Sequence, residues 1–179
     1  VDFLSQIKEF ENVFNQEELE LIDNMSCRPK WEMAISGSSP KRPFWRMNLM
    51  NDELFTQTLF QKVLQTTQLN ATLNDVYFNA TTTSMSSSVH VDAHDEDVNV
   101  FLVYMNKEWN IEWGGQTVFI NRHYSKQQDG LVGNNATKIF YPRYNSALLF
   151  KGYIAHFAEA PTRYFEGFRI TLAYRFKVL

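Results

Sequence analysis

Val89-His90-Val91-Asp92 sets an imidazole and a carboxylate two residues apart, and His156 lies far along the chain in Gly152-Tyr153-Ile154-Ala155-His156-Phe157. In a β-strand, residues i and i+2 share a face, so a His-x-Asp triplet on a strand presents its two ligand groups side by side. A third ligand from a distant strand would complete a facial triad, and two imidazoles with one carboxylate leave three positions open on an octahedral iron. The same donor set could serve zinc, with bound water as nucleophile. A bare His-x-Asp triplet is common on exposed polar strand ends, so its context decides. The chain has 4 histidines. His94-x-Glu96 offers the same chemistry in another register, but His94 is expected in the acidic turn before an apolar strand, solvated or behind the ligands. His123 has no carboxylate two residues away and reads as a loop histidine.

These ligands need rigid elements beneath them. Phe14-Asn15-Gln16-Glu17-Glu18-Leu19 predicts a helix start, with Asn15 as cap, Glu18 reaching back as in a capping box and Phe14 stapled to Leu19; the helix should run to about Met25. Aromatic and aliphatic residues predict strands over Trp31 to Ile35 and Phe44 to Leu49, joined by a flexible loop of residues 36–43 with a basic tip. Asn51 or Asp52 can cap a second helix that ends near Gln68, with Leu54, Phe55, Leu59 and Val63 on one face. After Leu73 the pattern turns to strands: Val76 to Thr82, Val98 to Met105, Thr117 to Ile120, Ala147 to Phe150 and Phe168 to Phe176. The expected layout is one domain over 1–179, with a helical support over about 1–70 and a β-rich core over about 74–178.

At 179 residues, 44% hydrophobic and 15% aromatic, the chain can bury a sizeable core. A net charge of -3 lacks the basic excess that phosphate-backbone binding requires, so no nucleic-acid partner is expected. The lone Cys27 cannot form an internal disulfide, and no stretch approaches the roughly 20 apolar residues of a membrane span. A soluble, cytoplasmic protein in a reducing compartment, with no membrane partner, is the expectation. Asn24, Asn70, Asn79 and Asn135 each begin an Asn-x-Ser/Thr triplet, but nothing else reads as secretory, so these are not taken as glycan acceptors.

Taken in order, His90-Val91-Asp92, Tyr104-Met105-Asn106-Lys107-Glu108-Trp109, Trp113-Gly114-Gly115-Gln116, Tyr141-Pro142-Arg143, Leu148-Leu149-Phe150, His156 and Arg169-Ile170-Thr171-Leu172 resemble the prolyl-4-hydroxylase-like branch of the Fe(II)/2-oxoglutarate dioxygenases. The resemblance covers about residues 74–178 and extends to the hypoxia-sensing prolyl hydroxylases. It implies an α+β, mainly β fold: a double-stranded β-helix, or jelly-roll, with N-terminal supporting helices. It also implies Fe(II) held by His90, Asp92 and His156, with 2-oxoglutarate and dioxygen consumed and ascorbate as a reductant.

By the same resemblance, Arg169 would grip the distal carboxylate of 2-oxoglutarate, as a planar guanidinium can through two parallel hydrogen bonds. Thr171 on the same strand face would add a hydroxyl, Tyr104 would bond the same carboxylate, and Tyr77 or Phe78 would be a further pocket aromatic. Arg169 comes later after His156 than is usual in the family, which leaves Arg163 and Arg175 as alternatives. Trp109, Trp113, Gly114 and Gly115 would shape a turn. The implied activity is hydroxylation of a C–H bond, of a prolyl residue in a peptide or protein, with a free amino acid or other small molecule, or a non-catalytic β-helix binding module, as alternatives. Retention of Asp92 argues against the halogenating variants. Residues 36–43 resemble by location the mobile segment that closes over peptide substrates, which would place Lys41, Arg42 and Trp45 near the entrance.

Overall fold

Asn15 accepts a hydrogen bond from the Glu18 N–H at 2.9 Å while Glu18 accepts one from the Asn15 N–H at 2.7 Å, so both orphan donors of the first helix are satisfied reciprocally. That helix, α1, is Gln16–Ser26 and buries Leu19, Ile22 and Met25. Asp52 accepts from the Leu54 N–H at 3.1 Å and opens the second helical segment. One π-helical turn, Leu54–Thr58, leads into α2, Leu59–Thr67, which ends on Gln68 in the left-handed conformation. Phe55, Leu59, Phe60 and Val63 are buried.

In the computed structural model, which describes residues 2–36 and 41–179, the strands are β1 Lys8–Phe10, β2 Glu32–Ser36, β3 Arg42–Asn48, β4 Ala71–Thr81, β5 Val98–Tyr104, β6 Thr117–Ser125, β7 Gly130–Phe140, β8 Ala147–Lys151, β9 Ile154–Ala158 and β10 Arg169–Val178. They form two antiparallel sheets, ordered β1-β8-β5-β10-β4-β3-β2 and β7-β6-β9. Strand alternation splits the larger sheet into two faces. Val76, Phe78, Leu172, Tyr174 and Phe176 pack with the buried residues of α1 and α2 in one core cluster. A second cluster, with Val100, Tyr104, Leu148 and Phe150 of the large sheet and Phe119, Phe140 and Ile154 of the small one, fills the space between the sheets. The result is the α+β, mainly β jelly-roll of double-stranded β-helix type, with N-terminal helices supporting it.

Four expectations need correction. The first 70 residues are more than a helical support, because β1, β2 and β3 all join the large sheet. The predicted strand Thr117 to Ile120 continues as β6 through Ser125, so His123 is a strand residue, packed at a tilt against Phe3 with ring centroids 4.0 Å apart. His90 and Asp92 do not lie on a strand: the segment is irregular, and only an isolated bridge joins His90 to His156. The hairpin of β2 and β3 extends to Ser36 and Arg42, so the predicted loop is shorter than residues 36–43, and 37–40 fall outside the described residues. Among the described residues no helix is long and apolar enough to cross a membrane.

Candidate active site

Although His90 and Asp92 lack a strand, backbone pairing against the stretch leading through β9 replaces one. The His90 N–H donates to the His156 carbonyl and the His156 N–H to the His90 carbonyl, both at 3.0 Å, while the Asp92 and Ala93 N–H groups donate to the Gly152 carbonyl at 2.8 and 3.1 Å. This register brings the three side chains together: one ligand atom from each of His90, Asp92 and His156 lies within 4.8 Å of the others. Nε2 of His156 is 3.3 Å from Asp92 Oδ2, and Nε2 of His90 is 3.7 Å from Oδ1.

Each imidazole is oriented by its other nitrogen. His90 Nδ1 lies 2.8 Å from the Ser88 carbonyl and His156 Nδ1 lies 3.0 Å from the Ile154 carbonyl. A carbonyl only accepts, so both Nδ1 atoms carry protons and both Nε2 atoms are the ones free to ligate, as in metal sites whose ligand histidines are held by backbone acceptors. Phe150 and Phe119 pack beside His156, at centroid distances of 4.9 and 5.5 Å.

Electrostatics favour the ionised acid. Burial works to raise Asp92, but the charge and hydrogen bond of His156, then His90 and Arg175, outweigh it and bring its pKa down to about 2. Burial works to lower His156, and Asp92 reverses this, so His156 is raised. His90 is lowered by burial and by the neighbouring His156. Arg175 also tethers the ligand segment, with Nη1 donating to the Asp92 carbonyl and Nη2 to Asp75 Oδ2, each at 3.2 Å. Asp75 Oδ2 accepts from Arg46 as well, at 2.7 Å, and the Arg46 guanidinium covers the Tyr77 ring 3.9 Å from its centroid.

The triad shares one cavity with Arg169, Thr171, Tyr77 and Thr117. Arg169 is only 3% exposed. Its Nε donates to the Gly115 carbonyl at 2.5 Å and its Nη2 to Thr117 Oγ1 at 2.9 Å, both neutral acceptors. No carboxylate among the described residues pairs with it, and burial lowers its pKa. Tyr104 is buried beneath, with its ring centroid 5.6 Å from the guanidinium and its hydroxyl donating to Thr117 Oγ1 at 2.8 Å. Tyr104 therefore supports Arg169 and Thr117 without lining the cavity itself. Phe78 faces the helices, and Tyr77 is the aromatic on the cavity side.

The alternatives to Arg169 have other occupations. Arg163 is exposed and sits against Tyr164, while Arg175 serves Asp75 and Asp92. His94 is exposed and stacks on Tyr124 at 3.6 Å, away from the triad. The Trp109 to Gly115 turn acts on the cavity indirectly: Trp109 Nε1 donates to the Gly114 carbonyl at 3.1 Å, and Gly115, at φ +67°, presents its carbonyl to Arg169. Sequence reasoning missed Thr117, although it directly follows the Gly-Gly-Gln block, and it missed the Asp75–Arg175–Arg46 chain, whose members are scattered over three strands.

No protein-family model matches the chain, and no curated protein matches it. Solved structures do resemble it. A 2OG-Fe(II) oxygenase-family oxidoreductase of Burkholderia pseudomallei superposes with a TM-score of 0.71 at 12% identity, over 97% of this chain and 85% of that one. A prolyl-4-hydroxylase of Pseudomonas putida gives 0.67 at 14% identity, over 96% of this chain and 92% of that one. A prolyl hydroxylase of Trichoplax adhaerens, solved with a peptide fragment of the hypoxia-inducible factor oxygen degradation domain, gives 0.68 at 13% identity, over 96% of this chain and 78% of that one. At these identities the likeness establishes the fold, and the chemistry rests on the side chains described above.

Proposed function

We propose that this chain is an Fe(II)- and 2-oxoglutarate-dependent oxygenase that hydroxylates a C–H bond, with a prolyl residue of a peptide or protein as substrate. The observation that carries the reading is a single cavity holding both a three-residue cluster able to ligate a metal and a buried guanidinium that pairs with no carboxylate among the described residues. A buried cation without a carboxylate partner is costly, and an anionic ligand relieves that cost. Zinc hydrolysis gives Arg169 nothing to bind.

His90 and His156 would hold iron through Nε2 and Asp92 through its carboxylate. Bound there with 2-oxoglutarate, iron supplies the dioxygen-dependent oxidation of the C–H bond. Arg169 and Thr171 bind the distal carboxylate and so orient the co-substrate toward the triad. Phe150 and Phe119 limit water beside His156, and Arg175 keeps the Asp92 backbone in place. Fixing the substrate carbon beside the metal is then the remaining task of the protein.

Turnover of 2-oxoglutarate without substrate tests this reading. With Fe(II) and ascorbate the protein should form succinate, and His90→Ala, Asp92→Ala and His156→Ala should each reduce it to background. Wild-type protein that forms none while folded would leave a binding module instead. Substrate class follows from mass gain of one oxygen in proline-containing peptides as against free amino acids.

Arg42, Pro43 and Phe44 line the cavity, which makes the β2–β3 hairpin one wall of the entrance. Deleting residues 37–42 should therefore lower peptide hydroxylation severalfold and leave substrate-free succinate formation in place; full peptide activity after the deletion would remove the lid role.

A further inference from the structure

Of the four Asn-x-Ser/Thr triplets in the sequence, Asn79-Ala80-Thr81 runs along β4, and both outer members line the cavity that contains the triad and Arg169. Thr81 is 7% exposed. Among the described residues neither Asn79 Oδ1 nor Thr81 Oγ1 has a hydrogen-bond partner, and both atoms are buried. Buried polar atoms in folded proteins are nearly always bonded, and an orphan inside a cavity marks a place where a ligand supplies the missing partner.

The register says which ligand. Thr81 lies opposite Arg169 and Asn79 opposite Thr171 on the neighbouring strand β10. Directly opposed residues on one sheet face stand about 5 Å apart at Cβ, so these four side chains form two adjacent rows. The Arg169 guanidinium spends Nε on Gly115, just before β6, and Nη2 on Thr117, the first residue of β6 in the small sheet, whereas β4 lies beside β10 in the large one. A ligand reaching from the triad to Arg169 passes Thr171, hence Asn79, and ends beside Thr81.

We propose that Asn79 and Thr81 form the second wall of the co-substrate slot, with the Thr81 hydroxyl donating to the same distal carboxylate that Arg169 pairs and the Asn79 carboxamide donating nearer the metal ligands. The proposal rests on the reading of this cavity as a 2-oxoglutarate site. A dicarboxylate only accepts hydrogen bonds; a threonine hydroxyl rotates to donate, and an asparagine turned about its last torsion exchanges its oxygen for N–H donors.

Anaerobic calorimetry of 2-oxoglutarate titrated into the Fe(II)-loaded full chain separates the possibilities, using wild type, Thr81→Val, Thr81→Ser and Asn79→Asp. Thr81→Val removes the hydroxyl at constant shape and should weaken 2-oxoglutarate binding roughly tenfold. The same variant should leave the ligand-free protein as stable as wild type or more so, because it deletes an unsatisfied buried group; a purely structural threonine would not give that split. Thr81→Ser should keep affinity near wild type. Asn79→Asp, which sets a like charge beside the dicarboxylate, should weaken binding more than Thr81→Val does. Fe(II) uptake measured separately should be unchanged in all three. Wild-type affinity in both Thr81→Val and Asn79→Asp overturns this proposal and leaves the oxygenase reading standing. Wild-type protein that gives no heat with 2-oxoglutarate overturns both.

Discussion

His156 and Asp92 sit in a contact that is an ion pair on its own and, on the proposed function, a ligand pair once iron binds. The charge and hydrogen bond of His156 bring the pKa of Asp92 from an ordinary 3.8 down to about 2, against its burial, and Asp92 in turn raises that of His156 above the ordinary imidazole value. A depressed acid contributes stability above its unfolded pKa and loses it as pH falls toward 2; a raised histidine contributes below its unfolded pKa and loses it as pH climbs through the folded one. The pair therefore stabilises the empty protein most between about pH 4 and 6.5. Iron requires the opposite state of His156, the neutral imidazole, and must displace that proton. Fe(II) affinity should accordingly rise with pH through the neutral range, by up to about tenfold per unit while His156 is still protonated, and calorimetry in buffers of different ionisation heat should show proton release. Affinity independent of pH between 6 and 8 would mean that His156 is not a ligand. At this scale the sequence was informative where chemistry restricts residue type. Two histidines and one acid at His-x-Asp spacing are few enough to single out, whereas Arg175, one of 17 Lys and Arg residues, is distinguished only by what it touches.

Elements with strong local signals were legible, and those defined by partners were not. The capping box at Asn15 and Glu18 places the start of α1 from local chemistry alone. β7 escapes because most of its residues are exposed on a sheet edge, which leaves no apolar alternation to read. The triad segment misleads in a different way: His-x-Asp suggests a strand, yet its geometry comes from pairing with His156 and Gly152, more than 50 residues away, which no local pattern encodes. The turn before β6 shows how an element can govern a site it does not line. A Cβ added at Gly115 would lie 2.6 Å from Trp109 Cζ2 and 3.2 Å from Arg169 Cδ, in a backbone region that side chains resist. Gly115→Ala should cost about 1–3 kcal/mol in urea unfolding and should also weaken 2-oxoglutarate binding by displacing Arg169, while Fe(II) binding is kept. Loss of stability with unchanged co-substrate affinity would uncouple the turn from the arginine.

For the molecule as a whole, the two sheets have a division of labour. β10 carries Arg169, Thr171 and Arg175 on one face, and the opposite face packs on the helices, so the strand that anchors the core also spans from the tether of Asp92 to the guanidinium. β9 and the stretch just before it, through Gly152 and His156, hold the irregular segment that carries the other two ligand residues. Strand order was not written in any periodicity. Only the jelly-roll architecture entered, through the resemblance of ordered blocks to a known family, and the observed sheets have that architecture. On the proposed function, a ligand with one end at the triad and the other at Arg169 joins the sheets, and its direct observation is the decisive measurement. Crystals grown anaerobically with Fe(II) and 2-oxoglutarate should show one iron bonded to His90, Asp92 and His156, with a dicarboxylate running from it to the Arg169 guanidinium. Iron bound elsewhere, or a dicarboxylate that does not reach Arg169, would contradict the assignment.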